Sequence, residues 1–395
     1  MGGVSNSVRA NDTTSQLEIL IQNESYLFER WGYPRTASDD DLRICFEGVL
    51  ESFQRLEKAV NDTHSIDLSS KYCREELIAL AEWGRIAYRQ FFNDDARKNV
   101  LLKLKTKSPT FVSGYSGRLP FPWELLYQGE DYEEGDLEMF WGIRYAPARL
   151  LNAMIFIENC VKEQSLPSDM LFCLHDRLYE AHKYERPEIQ KLVVRAGTDD
   201  QFTLLDSTCG NFSASGNAPE VIGASVLRYL LHKGNHNMVH FACHCLTSNL
   251  GDVLNASLID DEKPGVHNTE FKLQTQKFLN SETLFKRQPL VFLNACRSGG
   301  ASDATGITFN LPNAFFKCGA AAIIATACPV PDLFAASFAR VFYQKFLKDM
   351  LTIGKALQET RRYFIEKHNN PLGLAYGLYT PANYRMSQQA GDELL

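Results

Sequence analysis

The chain has 395 residues, 45% of them apolar and 23% charged, with a formal net charge of -7. This length and composition suit one large α/β unit or two smaller ones, and they exclude a fibrous or globally disordered chain. A negative balance argues against direct binding of nucleic acid, which needs clustered positive charge.

Residues 1–14 are polar and should fray. The opening MGGVSNSVRANDTTSQ lacks the apolar core of a signal peptide, and no apolar run approaches the ~18 to 20 residues that cross a bilayer. A cytoplasmic protein with no membrane partner is therefore expected. Gly2 does not open a myristoylation signal, because that pattern wants Ser or Thr at position six, where Asn6 stands. Residues 15–60 carry helical periodicity, with Leu42, Cys45, Phe46, Val49, Leu50 and Phe53 on one face behind the acidic start Ser38-Asp39-Asp40-Asp41. After a loop at Asn61–Ser65, Glu75 to Phe92 resumes the 3.6-residue pattern. From about residue 97 the pattern shifts to short strands and turns: Asn99-Val-Leu-Leu-Lys-Leu, Thr110-Phe-Val and the Pro-rich Leu119-Pro-Phe-Pro-Trp-Glu-Leu-Leu.

Beyond residue 168, strands are expected at Met170–Leu174, Phe202–Leu205, Met238–Cys243, Leu290–Leu293 and Ala321–Ala325. Helices are expected at Arg186–Arg195, Pro219–His232, Phe334–Leu347 and Ile353–Lys367, before the apolar Leu372–Tyr379. Alternating strands and helices imply an α/β fold with a doubly wound, mostly parallel sheet flanked by helices. No internal repeat of solenoid length is present. The ten cysteines are scattered and often sit inside apolar runs, which reads as reduced, mostly buried thiols.

Two of these strands end in reactive residues: Asn237-Met-Val-His-Phe-Ala-Cys-His-Cys and Pro289-Leu-Val-Phe-Leu-Asn-Ala-Cys-Arg-Ser-Gly-Gly. In open α/β sheets functional groups gather at the carboxyl ends of the strands. His244 and Cys296 stand there, and an imidazole that draws off a thiol's proton makes a nucleophile and general base. Gly299 and Gly300 allow a substrate backbone to approach closely, and backbone N–H groups near the thiolate can stabilise an oxyanion. His240 is the rival base, on the same strand face as His244 but nearer the covered strand interior. Cys243, His244 and Cys245 are all metal-ligand types, yet adjacent strand residues point to opposite faces and paired zinc cysteines are usually spaced by at least two residues. No metal or other cofactor is expected.

At these motifs the sequence resembles the CHAT group of caspase-clan cysteine peptidases, a family that includes relatives of separase and proteins with attached TPR repeats. The resemblance spans roughly residues 70 to 385. It takes in Leu80-Ala-Glu-Trp-Gly-Arg-Ile-Ala-Tyr, Leu119-Pro-Phe-Pro-Trp-Glu-Leu-Leu-Tyr, a strand at Trp141-Gly-Ile-Arg-Tyr-Ala-Pro, Lys317-Cys-Gly-Ala-Ala-Ala-Ile-Ile-Ala-Thr and Pro329-Val-Pro-Asp332. Cys296 follows His244 by about 50 positions, as in caspase-like enzymes. The resemblance implies a degenerate caspase-like supporting half (71–165) and a catalytic half (166–395); residues 1 to about 70 fall outside it and read, by their periodicity, as an N-terminal helical segment (1–70). It also implies an endopeptidase in which the backbone at Cys245 and Cys296 forms the oxyanion hole. One departure stands out: Cys245 occupies the place where the family usually has glycine, which leaves a catalytically inactive scaffold that binds partner proteins as the alternative. A small-molecule α/β hydrolase is weaker, since no Gly-x-Ser-x-Gly elbow is present.

Trp123 and Glu124 are structural on the same resemblance, an anchor and a hydrogen-bonded carboxylate. Asp176, just past the first strand of the catalytic half, either lines the cleft or is a solvated loop residue. Asp332 either caps the helix it precedes or, as in separase-like members, lies in the pocket for the side chain before the cut, where it would select Arg or Lys. The implied partner is a protein substrate, with a gasdermin-like effector in bacterial antiviral defence as the family's suggestion.

Overall fold

The computed structural model describes residues 16–22, 29–34, 39–92, 94–107, 110–115, 121–130, 132, 136–151, 163–165, 169–175, 178–194, 202–205, 236–248, 251–257, 270–274, 285, 287–295, 310–379 and 382–387. Two antiparallel strands come first, β1 (Gln16–Gln22) and β2 (Glu29–Pro34). This corrects the helical reading of residues 15–38: Leu17-Glu18-Ile19-Leu20-Ile21 is too short a run for its period to tell strand from helix, and β-branched isoleucines tip it to strand. The helical reading holds for α1 (Asp39–Thr63), whose Leu42, Cys45, Phe46, Val49 and Phe53 are buried, and for α2 (Ser70–Phe91), capped by the Ser69 side chain. The two helices are joined by a bidentate pair, Arg55 Nε to Glu76 Oε1 at 2.7 Å and Arg55 Nη2 to Glu76 Oε2 at 2.9 Å.

The expected strand at Asn99–Leu104 is instead part of α3 (Asp94–Lys107). Asp94 and Asp95 suit a helix N-terminus, and Val100 and Leu104, four residues apart, are the buried pair. β3 (Phe111–Tyr115) then pairs with β1, and β4 (Ala146–Arg149) with β3, giving a four-stranded sheet β2-β1-β3-β4. The stretch Trp141-Gly-Ile-Arg, read as strand, is a helical turn, α4 (Trp141–Arg144), and β4 (Ala146–Arg149) begins only after it. Trp123 is the anchor expected of it: it is buried, edge-on to Trp141 and Phe91 at 5.9 and 5.8 Å, and it packs so closely on Gly114 that any Cβ there would meet its ring at 1.8 Å.

The second sheet contains β6 (Met170–Leu174), β7 (Phe202–Leu205), β8 (Met238–Ser248), β9 (Gly251–Ser257), β10 (Glu270–Gln274), β11 (Leu290–Ala295), β12 (Ala322–Thr326) and β13 (Tyr376–Leu378). A further short strand, β5 (Glu163–Ser165), pairs with β14 (Arg385–Ser387). The main sheet runs β7-β6-β8-β11-β12-β13, all parallel except the last, antiparallel, strand. Side chains alternate between two cores. Val239, Phe241, Val291, Leu293 and Ile323 face α6 (Asn310–Lys317) through Leu311, Ala314 and Phe315. Met170, Phe172, Ala242, Phe292 and Ile324 face the other way. There they meet α5 (Arg186–Val193), α7 (Asp332–Tyr343) and α8 (Ile353–His368). Each fully buried Phe or Leu is worth roughly 1.5–3 kcal/mol of transfer free energy, so this two-sided burial fixes the strand register. The fold is thus the expected doubly wound, mostly parallel α/β sheet. Helix Pro219–His232 lies outside the described residues. No helix among the described residues is long and apolar enough to cross a membrane.

A buried ionic clamp joins the four-stranded sheet to the main one. Glu124, fully buried, lies 3.2 Å from Arg149 Nη2 and 3.7 Å from Arg361 Nη2 on α8. Arg361 also donates to the carbonyls of Tyr376 (2.7 Å) and Gly142 (3.3 Å), and the Arg149 guanidinium stacks over Tyr379. Burial lowers the Arg361 pKa to about 10, so it keeps its charge at neutral pH. Glu124 is therefore the tied structural carboxylate expected of it.

Candidate active site

Counted within the main sheet, the strands run second-first-third-fourth-fifth-sixth, so the order reverses between β6 and β8. In open α/β sheets the binding crevice lies outside the carboxyl ends of the strands at such a reversal. β8 does not stop at Cys243 as expected. Up to Ala242 and Cys243 it pairs with β11, whose Ala295 is level with Cys243; from His244 it pairs antiparallel with β9, His244 opposite Asn255 and Cys245 opposite Leu254. His244 is thus the first residue beyond the parallel sheet. The side chains of His244 and Cys245, and all of Cys296 and Asp176, lie outside the described residues.

At this edge sits a cavity of about 220 Å³ lined by Glu57 and Asn61 of α1, Ala242 and Cys243 of β8, Asn294 of β11, and Leu178, Glu185, Val330, Pro331, Asp332 and Ala335. Three carboxylates face it and, among the described lining residues, no Lys or Arg does. Asp332 does not cap its own helix: the N-cap of α7 is Pro331, with no side-chain cap bond. Its Oδ2 instead accepts the backbone N–H of Glu180 at 2.8 Å, satisfying a free amide at the start of the helix at 179–193. Burial pushes the Asp332 pKa up to about 6, and the nearby Glu185 and Glu180 carboxylates add to the rise while the Glu180 amide opposes it.

Glu185 and Asn294 form the cavity's inner side, and motif reasoning missed both. The helix at 179–193 widens to a π turn at Ala181–Glu185. The physical cause is Pro187, which lacks the N–H that would bond back to residue 183 and whose ring presses on that carbonyl. The wide turn aims Glu185, only 1% exposed, at the sheet. There Asn294 Nδ2 donates to Glu185 Oε1 at 2.7 Å and to the Ala335 carbonyl at 3.2 Å, while Asn294 Oδ1 accepts the Tyr376 hydroxyl at 2.7 Å. Tyr-Glu-Arg-Pro inside a helical pattern was the available signal.

His240 is fully buried, as its interior position on the strand implied. It stacks on Phe172 at 4.5 Å, with Nδ1 3.2 Å from the Tyr343 hydroxyl and Nε2 2.8 Å from Glu185 Oε1. Burial and Glu185 raise the Tyr343 pKa well above its ordinary value, so its hydroxyl stays protonated. Cys45, Cys73, Cys173, Cys243, Cys318 and Cys328 are buried thiols, and burial pushes Cys45, Cys73 and Cys318 to about 11, 12 and 11, far from a reactive thiolate. Among the described residues no group of three or more His, Cys, Asp or Glu side chains could hold a metal ion.

The sequence of a protein described as a probable protease, from Vitiosangium sp. (strain GDMCC 1.1324), is 24% identical over 310 residues. The match covers 75% of this chain and 37% of the relative's length. Two crystal structures of the Saccharomyces cerevisiae separase–securin complex align with TM-scores of 0.41 and 0.40 at 14% and 13% identity. They cover 66% and 90% of this chain and 14% and 24% of the separase-complex chains, a likeness too loose to bear on function. The CHAT domain profile matches residues 175–386, which run from the end of β6 through β14 and hold the whole carboxyl edge of the main sheet after its first strand. More than half of the sequence falls within that match, and the chain belongs to the CHAT domain family.

Proposed function

We propose that the chain is a cysteine endopeptidase in which Cys296 attacks the peptide carbonyl, His244 takes the thiol proton and later gives it to the leaving amine, and water resolves the acyl-enzyme. The observation that carries this reading is the acid-lined cavity at the carboxyl edge of β8 and β11. His244 follows directly on Cys243, and Cys296 follows directly on Ala295, its register partner in the next strand. Covalent geometry holds each within ~3.8 Å, Cα to Cα, of its described neighbour.

The cavity receives the side chain before the cut. With Glu57, Glu185 and Asp332 around it, that side chain is basic, and a bidentate arginine is preferred over lysine. The family membership and the relative described as a probable protease support a peptidase, and the residue assignments rest on strand position and chemistry. An inactive scaffold, the alternative raised by Cys245, loses its conformational argument: Cys245 lies in extended backbone paired with Leu254, which any residue adopts without strain. Asp176 is proposed as a residue of the cleft rim. The substrate is a protein with an exposed Arg or Lys in a loop, and a gasdermin-like effector fits that class.

The test compares cleavage of matched peptides with Arg, Lys, Leu, Met or Asp before the scissile bond. Arg and Lys should be cut and Leu and Asp spared; preference for Leu or Asp would remove the pocket carboxylates from specificity.

A further inference from the structure

Asn294 stands two residues before Cys296 in the chain, one before the end of β11, and both of its N–H groups and its carbonyl oxygen are engaged. One N–H goes to Glu185 Oε1 (2.7 Å), the other to the Ala335 carbonyl (3.2 Å), and its oxygen accepts the Tyr376 hydroxyl (2.7 Å). The amide can therefore sit in one orientation only. Its partners come from three separate elements: the π turn, α7 and β13. His240 lies beside Glu185, its Nε2 2.8 Å from the same oxygen and its ring packed against Phe172 and Phe292. Every side chain in this brace is at most 5% exposed.

A buried carboxylate is costly unless something requires it. A well-packed apolar core would hold these helices to the sheet without one. Here the carboxylate ends on the side chain nearest to the proposed nucleophile among the described residues of its strand. We infer that Glu185 is a positioning residue which, through Asn294, fixes the end of β11, the strand that Cys296 directly follows in the chain. The inference rests on the proposed peptidase reading. Glu185 touches no reacting atom; it acts by removing slack, and a shift of about 1 Å at a reacting group costs ~10²-fold in rate. The same surroundings explain why His240, although an imidazole, does not serve as the base: its ring is fully buried between Phe172, Phe292, Glu185 and Tyr343.

The experiment uses the full chain and two readouts: kcat and KM on an arginine peptide, and the pH profile of Cys296 alkylation by iodoacetamide, read by mass spectrometry. Glu185→Gln keeps an acceptor for Asn294, so its kcat should lie well above that of Glu185→Ala and its alkylation profile should stay unchanged, while the lost pocket charge raises KM for the arginine peptide. Glu185→Ala and Asn294→Ala should lower kcat by about 10²-fold and move the alkylation midpoint up by about one pH unit, with KM within about twofold in Asn294→Ala, which removes no pocket charge. Should Glu185→Ala not fold, Tyr376→Phe removes only one bond of the brace and should lower kcat about tenfold at unchanged KM. Wild-type kcat and alkylation in folded Glu185→Ala, or in Tyr376→Phe, would overturn the inference alone, and so would Glu185→Gln as damaging as Glu185→Ala. A wild-type Cys296 that alkylates like an ordinary thiol would overturn the peptidase reading, and the inference with it.

Discussion

Two buried ionic clusters sit on either side of β13. In the first, Glu124 lies between Arg149 and Arg361, two positive charges against one negative, and Arg361 also donates to the carbonyls of Tyr376 and Gly142. In the second, Glu185 and Asp332 share one neighbourhood, with Asn294 donating to Glu185 and the His240 ring beside it, and both carboxylates line a cavity of about 220 Å³. A buried carboxylate by itself therefore says little about function. What separates the two is the balance of charge: the first sets two arginines against one carboxylate, whereas the second gathers carboxylates beside space for a cation.

That contrast sorts substitutions into those that end chemistry, those that end folding and those that change selection. Cys296→Ala should abolish cleavage, and His244→Ala should lower it by ~10³–10⁴-fold, with circular dichroism unchanged in both. If His240→Ala proved as damaging to turnover as His244→Ala in well-folded protein, the base would be misassigned; as a buried member of the brace it should instead mainly lower stability. Arg361→Ala strips the clamp of one cation and of its carbonyl bonds. It should cost about 3–5 kcal/mol in urea unfolding, the scale of a broken buried pair, and leave the Arg-over-Leu preference of the folded fraction intact. A loss of preference without a loss of stability would erase the distinction between the clusters.

Asp332→Asn should do the reverse. The amide oxygen still accepts the Glu180 N–H, so stability should hold within about 1 kcal/mol, while kcat/KM for arginine peptides falls ~10²-fold and that for uncharged ones does not. The smallest effect is in pH. Asp332 titrates higher when folded than its ordinary 3.8, at about 6. The native state thus binds the extra proton over that interval, and the stability this contributes is present below pH 3.8 and lost as pH rises through about 6. Wild type should gain stability over Asp332→Asn as the pH falls. Cleavage after arginine, which needs the carboxylate, should drop by up to about tenfold per unit below pH 6 in the wild type only.

Much of this was legible in the residues. The strands at 170, 202, 238, 290 and 322 announce themselves because each is a short apolar run bounded by turns, and buried parallel strands must be apolar on both faces. What escaped has identifiable causes. Residues 16–34 are two strands whose pairing with each other and with β3 is non-local, invisible to a period count. Asn99–Leu104 reads as strand by its apolar density, yet the acidic residues at 94 and 95 set a helix. The strand at 238 runs on past Cys243 because β9 offers a new partner, a tertiary fact. Asp332 offered two readings, cap or pocket. The structure adds one that local sequence could not show, a cap on a helix about 150 residues earlier. Glu57, Glu185 and Asn294 were missed because they converge from α1, a π turn and β11, each ordinary in its own segment.

The central claim is that Cys296 is a nucleophile served by a pocket for a basic side chain. It is tested most directly by incubating the chain with an irreversible thiol-directed peptide inhibitor carrying arginine in the position before the reactive group, then mapping the adduct by mass spectrometry. One stoichiometric adduct on Cys296 is expected, lost in His244→Ala and strongly slowed in Asp332→Asn. No adduct, or one on another cysteine with Cys296 untouched, would contradict it.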